Sequence, residues 1–414
     1  MKTRMLQAEG HLIDSGLLST ILNTILAKDG DYRITSFSVG KTPQEISHLE
    51  IELSGKDDEH LETLIRTLKP SGVFEKSVPS ANLVIVEQDR YAPNDFYSSS
   101  NHRTEVYYQS AWYAVGHQRM DAAIVYDQSK DSFSCKKLRD LKKGDSIVCG
   151  NESIRVYPVE AEIRSPKDSA PQFAFMTNDV SSERSVDIAV DKLASELLRI
   201  RAKKGKTVVV CGPVVVHTGG SAALASLIRQ GYVQGFLGGN AVAVHDLEVQ
   251  FFGTSLGVDL KTGIVAEHGH SHHMRSINTI HGCGSIKAAI EQGVLTSGLM
   301  YSVEKAAIPY CLAGSIRDDG PLPETVNDMI EAQRQYAEII DGADLIIMLS
   351  TMLHSIGVGN MTPSWVKTVC IDINPAVVTK LTDRGSGQAI GIVSDVGFFL
   401  RALEARLQET SIGR

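Results

Sequence analysis

The sequence lacks the features that would place it in several specialised classes of protein. Its six cysteines form no CxxC pair and no dense array, which is typical of reduced cytosolic thiols and excludes a disulfide framework. It has no run of about 18 apolar residues and no apolar N-terminal segment of signal-peptide length. Lysine and arginine number 41 against 49 aspartates and glutamates and do not cluster, which argues against nucleic acid as a partner. We therefore expect a cytoplasmic protein without a membrane partner.

What the sequence does contain is the composition of a folded chain with more than one domain. Hydrophobic residues make up 43% and charged residues 22% of its 414 residues. Domains usually have roughly 100–200 residues, so a chain of this length needs two or three. We predict three domains, covering residues 1–75, 76–180 and 181–414.

The first two predicted domains differ in their hydrophobic patterns. Apolar residues recur at helical spacing in residues 17–26 and 61–68, and strand-like alternation occurs in residues 32–39. The resulting order β-α-β-β-α-β predicts a ferredoxin-like or ACT-like α+β unit. Residues 76–180 contain short strand-like pieces between turns, which predicts a small β-rich domain, either a barrel or an open sheet.

The third predicted domain alternates strands with helices. Continuous apolar runs occur at residues 207–210, 233–237, 345–349, 366–371 and 391–393. Helical stretches lie between them, at residues 222–230, 285–291, 323–340 and 377–381. Such runs are typical of a parallel sheet with helices on both faces, so we predict an α/β fold for this domain.

The residues that follow each predicted strand indicate a nucleotide site, because open parallel sheets bind ligands outside the carboxyl ends of their strands. Gly219 and Gly220 would present backbone N–H groups to a pyrophosphate, although an ordinary strand–helix turn would look the same. Asp372 suits the paired hydroxyls of a ribose. Together the strand ends predict bound NAD. The candidate cofactor-binding residues are Gly212, Thr218, Gly219, Gly220, Ser221, Gly238, Gly239, Asn240, Ser350, Thr351, Met352, Asp372, Asn374, Ser394, Asp395 and Val396.

Several longer motifs resemble a known family. One match begins with Thr-Arg-Met-Leu-Gln-Ala-Glu-Gly-His-Leu-Ile-Asp at residues 3–14 and runs to about residue 72. Others are residues 270–273, residues 276–278, and Ala-Gly-Ser-Ile-Arg-Asp-Asp-Gly-Pro-Leu-Pro at residues 313–323. On these residues the chain resembles the archaeal-type ornithine cyclodeaminase family. That family shares its N-terminal region with the lysine-oxoglutarate reductase/saccharopine dehydrogenase bifunctional enzyme conserved-domain proteins.

The resemblance implies a reaction and a fold. It implies that L-ornithine is converted to L-proline and ammonia by hydride transfer to and from a bound, recycled NAD(+). The C-terminal domain is also similar to the NAD-binding fold of deoxyhypusine synthase and sirtuins, and the related folds imply a homo-oligomer, either a dimer or a tetramer. Two other functions stay open: a net NAD(P)-dependent oxidoreductase of the saccharopine or lysine type, and a non-enzymatic amino-acid sensor.

A substrate of this kind needs a clamp for its carboxylate. Candidates are Arg317 and the polar loop with Asn101 and His102. Arg317 could instead pair with a neighbouring aspartate, and the loop could be a solvated turn. His270 and Asn278 lie in the resembling segments and are predicted to contact the substrate.

The implied reaction also needs a base for the α-amine. Asp246, Glu248, Asp318 and Asp319 are the candidates for the base or for an anchor of the δ-amine. An acid near the start of a helix could also serve only the helix dipole. Although His268, His270 and His272 could face one way on an extended segment, no acid or cysteine has the usual companion spacing, so we predict no metal.

Overall fold

A computed structural model describes residues 2–10, 12–13, 16–40, 45, 47–75, 78–157, 182–260, 262–264, 266, 269–318, 320–377 and 389–412. The chain forms two compact units. Unit 1 comprises Met1–Pro171 and Thr362–Trp365, and unit 2 comprises Gln172–Met361 and Val366–Arg414. The boundary predicted at residue 180 lies outside the described residues, and the three-domain division stays a prediction.

The N-terminal part of unit 1 has the predicted order of elements. They are β1 (Lys2–Gly10), α1 (Leu17–Ala27), β2 (Asp31–Ser38), β3 (Ser47–Gly55), α2 (Asp58–Leu68) and β4 (Val73–Glu75). The strands form an antiparallel sheet in the order β2-β3-β1-β4. Helix α2 begins after Asp57 because the Asp57 side chain accepts a hydrogen bond from the His60 N–H, as a helix cap does.

The rest of unit 1 is a second sheet. Its strands are β5 (Asn82–Ile85), β6 (Arg103–Tyr108), β7 (Ala111–Gly116), β8 (Ala123–Asp127), β9 (Ser132–Lys136), β10 (Ser146–Cys149) and β11 (Ile154–Tyr157). They lie in the order β11-β6-β7-β9-β8-β10-β5, with β7 and β9 parallel. Arg155 of β11 joins this sheet to the first one. Its Nη2 donates to Glu9 at 2.7 Å, and its guanidinium lies 4.0 Å from the Phe74 ring centre.

Unit 2 is built on a parallel sheet. Its strands are β12 (Thr207–Cys211), β13 (Gly235–Gly239), β16 (Tyr310–Ala313), β17 (Thr325–Val326), β18 (Leu345–Leu349), β19 (Lys367–Asp372) and β20 (Ala389–Val393), and a separate hairpin is formed by β14 (Thr254–Ser255) and β15 (Val258–Asp259). The helices are α3 (Ser182–Ala202), α4 (Val214–His217), α5 (Ser221–Arg229), α6 (Asn240–Phe252), α7 (His272–Cys283), α8 (Ile286–Glu291), α9 (Leu299–Lys305), α10 (Met329–Ile340), α11 (Met352–Gly359) and α12 (Val396–Ile412).

The strand order of this sheet, β17-β16-β13-β12-β18-β19-β20, reverses direction beside β12. All neighbouring strands are parallel. Every residue of β12 and β18 is buried, because these Val, Ile and Leu runs are covered on both faces. The predicted α/β fold with a parallel sheet is therefore confirmed for this unit. Between β12 and β18 the sheet has the topological switch point at which open α/β sheets bind ligands.

Some elements differ from the sequence-based expectation. The helix predicted over residues 323–340 begins only at Met329, because the Asp328 side chain accepts hydrogen bonds from the N–H groups of Ile330 and Glu331. The residues before it form the edge strand β17. Strand β16 was not predicted, since four residues carry too little periodicity. The helix predicted over residues 377–381 lies outside the described residues except for Val377.

Candidate functional site

At the switch point the backbones of β12 and β18 approach so closely that Gly212 has no room for a side chain. The Gly212 N–H donates to the Leu349 carbonyl at 2.9 Å. A Cβ added to Gly212 would lie 2.1 Å from the Ser350 carbonyl oxygen. The rim here is therefore bare backbone, which lets a ligand approach the main chain closely.

We expect Gly212→Ala to destabilise the protein by about 1–3 kcal/mol, because the new methyl group must push β12 away from Ser350. Gly282→Ala is the matched control. A Cβ on Gly282, within helix α7, would meet nothing within 4 Å, so alanine there should stabilise by up to about 1 kcal/mol. Urea unfolding measures the free energy of unfolding of both variants. Equal midpoints for the two would contradict the close contact between Gly212 and Ser350.

The turn before α5 leads into the N-terminus of a helix. The N–H groups of Gly219 and Gly220, predicted to face a pyrophosphate, donate instead to the Val216 and Val215 carbonyls at 3.0 and 2.8 Å. Gly219 has a φ of +73°, in the left-handed region that favours glycine. The Thr218 carbonyl accepts a hydrogen bond from Arg401 Nη1 at 3.0 Å, and a Cβ on Gly397 would lie 2.3 Å from the same oxygen. Helix α12 is thus packed onto this turn. The predicted cofactor residues Ser221 and Val396 are the first residues of α5 and α12.

Strand β13 ends in glycines that a histidine approaches. The Tyr336 hydroxyl donates to the Gly238 carbonyl at 2.7 Å and lies 3.0 Å from His354 Nδ1. A Cβ on Gly239 would lie 3.1 Å from His354 Nε2. Burial lowers the pKa of His354, although Asp318 acts in the opposite direction. His354 is therefore a neutral side chain over bare backbone.

Asn240, the next residue, holds a loop in place. Its Oδ1 accepts hydrogen bonds from the Leu322 N–H at 3.0 Å and the Thr325 hydroxyl at 2.9 Å. Its Nδ2 donates to the Gly320 carbonyl at 3.5 Å. Because both side-chain atoms are used within the fold, any contact with a cofactor would fall to the Asn240 backbone at the start of α6.

The ends of β19 and β20 combine an acid with exposed apolar side chains. Asp372 is 8% exposed, and its Oδ1 accepts a hydrogen bond from the Asn374 N–H at 2.8 Å. Ile373 is 68% and Val393 is 45% exposed. Asp395 caps α12, since its Oδ1 accepts from the Phe398 N–H at 2.7 Å. A carboxylate beside exposed apolar surface matches the hydroxyls of a ribose and its attached base. The remaining predicted cofactor residues follow β18 and β20 as Ser350, Thr351, Met352 and Ser394.

A second group of polar side chains, which we name the His–Glu network, lies where α6 meets α7 and β14. His245 Nδ1 lies 3.1 Å from Glu248 Oε2, one turn along α6. Glu248 is fully buried and accepts hydrogen bonds from the Gly257 N–H and the Thr254 hydroxyl, both at 2.8 Å. The Thr254 oxygen also lies 2.8 Å from His272 Nδ1.

His217 connects this network to the turn before α5. It is the last residue of α4, directly before Thr218, and its Nδ1 lies 2.7 Å from the Ser255 hydroxyl. Its ring centre is 4.8 Å from that of His245. Burial, with a smaller contribution from His245, lowers the pKa of His217 to about 4, so this ring is neutral at pH 7.

The charge of Glu248 gives the network its chemistry. Burial alone would raise the pKa of Glu248, but hydrogen bonds from His245, Gly257 and Thr254 outweigh it and hold that pKa below its ordinary value. A carboxylate that stays ionised orients the His245 Nδ1–H toward itself and leaves Nε2 to accept a proton. A histidine oriented in this way is suited to general-base catalysis.

Asp246, a predicted catalytic residue, has a different environment. It is fully buried, and its oxygens accept hydrogen bonds from the Leu299 and Met300 N–H groups at 2.9 and 2.8 Å. Burial raises the pKa of Asp246 to about 6, while these two bonds act in the opposite direction. The contacts are those of a cap on α9. They favour the structural role that the sequence left open as the alternative.

Among the described residues of unit 2, the other predicted substrate and catalytic side chains form no hydrogen bond with the His–Glu network. In the loop after β16, Asp318 Oδ2 accepts a hydrogen bond from the Ser315 N–H at 2.8 Å, and Arg317 is exposed. Asn278 is exposed on α7. Asp319 and the side chain of His270 lie outside the described residues. In unit 1, Asn101 is buried and His102 is half-buried, and burial lowers the pKa of His102.

The sequence-based reasoning missed His217, His245 and His272 as a group. The i,i+3 spacing of His245 and Glu248 on a helix was a usable signal, because such residues face each other. Among the described residues, no group of three or more His, Cys, Asp or Glu side chains is arranged to hold a metal ion. Within the same part of the chain, no helix is long and apolar enough to cross a membrane.

The reversed parallel sheet, its glycine-lined switch point and the acid after β19 define a nucleotide-binding protein of the Rossmann type. Family models agree with this class. The C-terminal Rossmann-fold region of ArgZ-like arginine dihydrolases matches residues 191–403, and the first region of the same C-terminal part matches residues 103–190. The LOR/SDH bifunctional enzyme conserved region matches residues 3–102. The chain therefore belongs to the ArgZ-like family, and the relatives described next confirm the resemblance found in its sequence.

Individual relatives cover the chain from end to end. The ornithine cyclodeaminase of Methanocaldococcus jannaschii is 46% identical over 99% of this chain and 97% of its own length. The crystal structure of apo ArgZ, an arginine dihydrolase of the cyanobacterial ornithine–ammonia cycle, has a TM-score of 0.82 at 43% identity and covers 99% of this chain. The ternary complex of AgrE with ornithine and NAD+ has a TM-score of 0.55 at 46% identity and covers all of it. This chain spans 59% and 58% of those two longer proteins.

Proposed function

We propose that this protein converts L-ornithine to L-proline and ammonia with a bound, recycled NAD. The His245–Glu248 pair carries the proposal, because it provides an oriented base in the same unit as a glycine-lined nucleotide rim. The names of the relatives support ornithine as the substrate. We also propose that the protein forms a homo-oligomer. The proposed folds are ferredoxin-like or ACT-like for the N-terminal part of unit 1 and deoxyhypusine synthase-like for unit 2.

The residues on the rim fit NAD. The first N–H groups of α5, beginning at Ser221, have no carbonyl partner within the helix and would hold the pyrophosphate. The Asp372 carboxylate would bind ribose hydroxyls, with Ile373 against the adjoining base. When bound, NAD would supply the acceptor and the donor for a hydride at Cα of the substrate.

The protein's own residues would move the protons. His245 Nε2 would take the proton that the α-amine must lose, and the same group could return a proton to the departing ammonia. Glu248 would act as a positioning residue for His245. His217, held neutral by burial, could pass protons onward without adding charge beside the nucleotide.

A test of this proposal uses the purified protein with L-ornithine and no added cofactor. We expect proline and ammonia in equal amounts, with no net change in absorbance at 340 nm. A stoichiometric rise in absorbance at 340 nm would replace the proposal with a net oxidoreductase. Binding of ornithine without release of ammonia would replace it with an amino-acid sensor.

A further inference from the structure

Buried polar atoms without a hydrogen-bond partner are concentrated in one region of unit 1. Ten such side-chain atoms occur among the described residues. Five of them belong to the group that we name the Arg119 cluster: His102 Nδ1, Gln118 Oε1, Arg119 Nε, Arg139 Nε and Ser364 Oγ. Folded proteins pair nearly all of their buried polar groups with protein, water or a ligand, so this concentration marks a place where a polar ligand could bind.

The fold holds this cluster in place. The Ser99 hydroxyl donates to the Arg119 carbonyl at 2.6 Å, and Gln118 Nε2 donates to the Ser100 carbonyl at 2.5 Å. Gln118 is 4% exposed. These bonds join the loop before β6 to the loop before β8, so the side chains of the cluster come from segments with fixed backbones.

The remaining wall comes from the short segment Thr362–Trp365, which belongs to unit 1. Its Ser364 N–H donates to the Asn101 carbonyl at 2.9 Å, and the Ser364 side chain is 2% exposed. The Ser364 hydroxyl is thus buried beside the loop that carries Asn101 and His102, two of the residues that the sequence predicted to bind substrate.

The region is also cationic. Lys137 Nζ donates to the carbonyls of Met120 and Asp121 at 2.7 and 3.0 Å. Burial, followed by the neighbouring charge of Arg119, lowers the pKa of Lys137 to about 8. Burial and then Arg139 lower the pKa of Arg119. Asp140 Oδ2 lies 3.9 Å from Arg139 Nε and offsets part of this charge, whereas no carboxylate of the described residues forms an ion pair with Arg119. Half-buried like charges are costly, and a bound anion would offset that cost.

The unpaired atoms match one chemical group. Guanidinium N–H donors bind carboxylates in a planar fork, and a buried hydroxyl can add a third donor. An amide oxygen such as Gln118 Oε1 accepts a hydrogen bond from an ammonium group. We propose that the Arg119 cluster binds the head group, carboxylate and α-amine, of a small amino acid. The proposed function enters this inference only through the identity of that amino acid, L-ornithine.

The probe is L-norvaline, which has the head group and carbon chain of ornithine but no δ-amine to cyclise. Equilibrium dialysis of the full chain compares it with butylamine, which lacks the carboxylate. We expect Arg119→Met to weaken norvaline binding about 10- to 100-fold, as loss of a charge-assisted hydrogen bond does, with no effect on butylamine. Arg103→Met is the matched control. Arg103 directly follows His102 in the sequence, but its side chain is 64% exposed and is not part of the cluster.

Further variants keep the test decisive if Arg119→Met does not fold. Arg119→Lys retains the charge without the fork and should give an intermediate loss, and Arg139→Met should weaken binding as well. Wild-type norvaline affinity in all three would overturn the proposal.

Kinetics with ornithine then identify the bound molecule. A raised KM for ornithine in Arg119→Met with unchanged kcat means that the cluster holds the substrate. An unchanged KM with lost norvaline binding means that it holds a second, regulatory amino acid. A wild-type protein that binds norvaline through this cluster but forms no proline would remove the proposed function and leave this site standing.

Discussion

Replacing Glu248 with glutamine should lower kcat for proline formation by roughly 10²–10⁴-fold, the range that general acid–base catalysis contributes. The glutamine amide has one acceptor oxygen where the carboxylate has two. Glu248 accepts from His245 and the Leu256 N–H on Oε2, and from Thr254 and the Gly257 N–H on Oε1. Whichever way the amide turns, it either loses the His245 Nδ1–H or directs an N–H group against donors. His245 would then lose its orientation.

Because Glu248 is fully buried, the measurement must distinguish a loss of His245 orientation from a loss of the folded structure. We expect kcat to fall while KM for ornithine and the NAD content of the purified variant stay near wild type. Circular dichroism below the unfolding temperature verifies the fold, and Glu248→Asp should recover part of the rate. Glu291→Gln, an exposed residue at the end of α8, provides the control. A Glu248→Gln enzyme with unchanged kcat would remove the His–Glu pair from the mechanism.

Asp372→Ala should cost about 100-fold or more in affinity for NAD. A carboxylate that accepts hydrogen bonds from both ribose hydroxyls forms two charge-assisted bonds, each contributing about 1.5–3 kcal/mol. The fold should tolerate the change, since within the described residues Asp372 makes one side-chain hydrogen bond, to the Asn374 N–H of its own turn.

Cofactor released from the purified variant by heat, together with titration of added NAD, measures this loss. Asp187→Ala on α3 removes an exposed carboxylate of unit 2 and should leave NAD binding unchanged. Full occupancy of the Asp372→Ala protein would show that the ribose lies elsewhere on the rim.

These predictions depend on features that were visible in the sequence to different degrees. Strands β12 and β18 were predictable, because burial on both faces leaves an uninterrupted apolar run. The order of elements before β5 was predictable for the same kind of reason, since one-sided burial imposes a period on each helix and strand. The two-residue strand β17 has no such pattern, and its edge position follows from its neighbour β16.

The site residues were harder to predict than the strands, because a polar residue near a strand end can stabilise the fold or bind the ligand. Asp246 and Asn240 were chosen for their positions, yet the structure uses both side chains to hold segments distant in sequence, such as Leu299 for Asp246. Contacts of this kind depend on tertiary structure and leave no local signal. The contact between Thr254 and His272 is of the same type. Glu248 was a predicted candidate, and its pairing with His245, one helical turn away, could have been predicted as well.

The last helix has a consequence beyond its own packing. Arg401 in α12 donates to the Thr218 carbonyl, and Gly397 packs against the same oxygen. The turn at Thr218 is therefore completed by residues nearly two hundred positions later in the chain. During synthesis that turn would gain these contacts only after α12 has left the ribosome. A frameshift within the codons of α12 would therefore impair ligand binding more directly than it would disrupt the strands of the sheet.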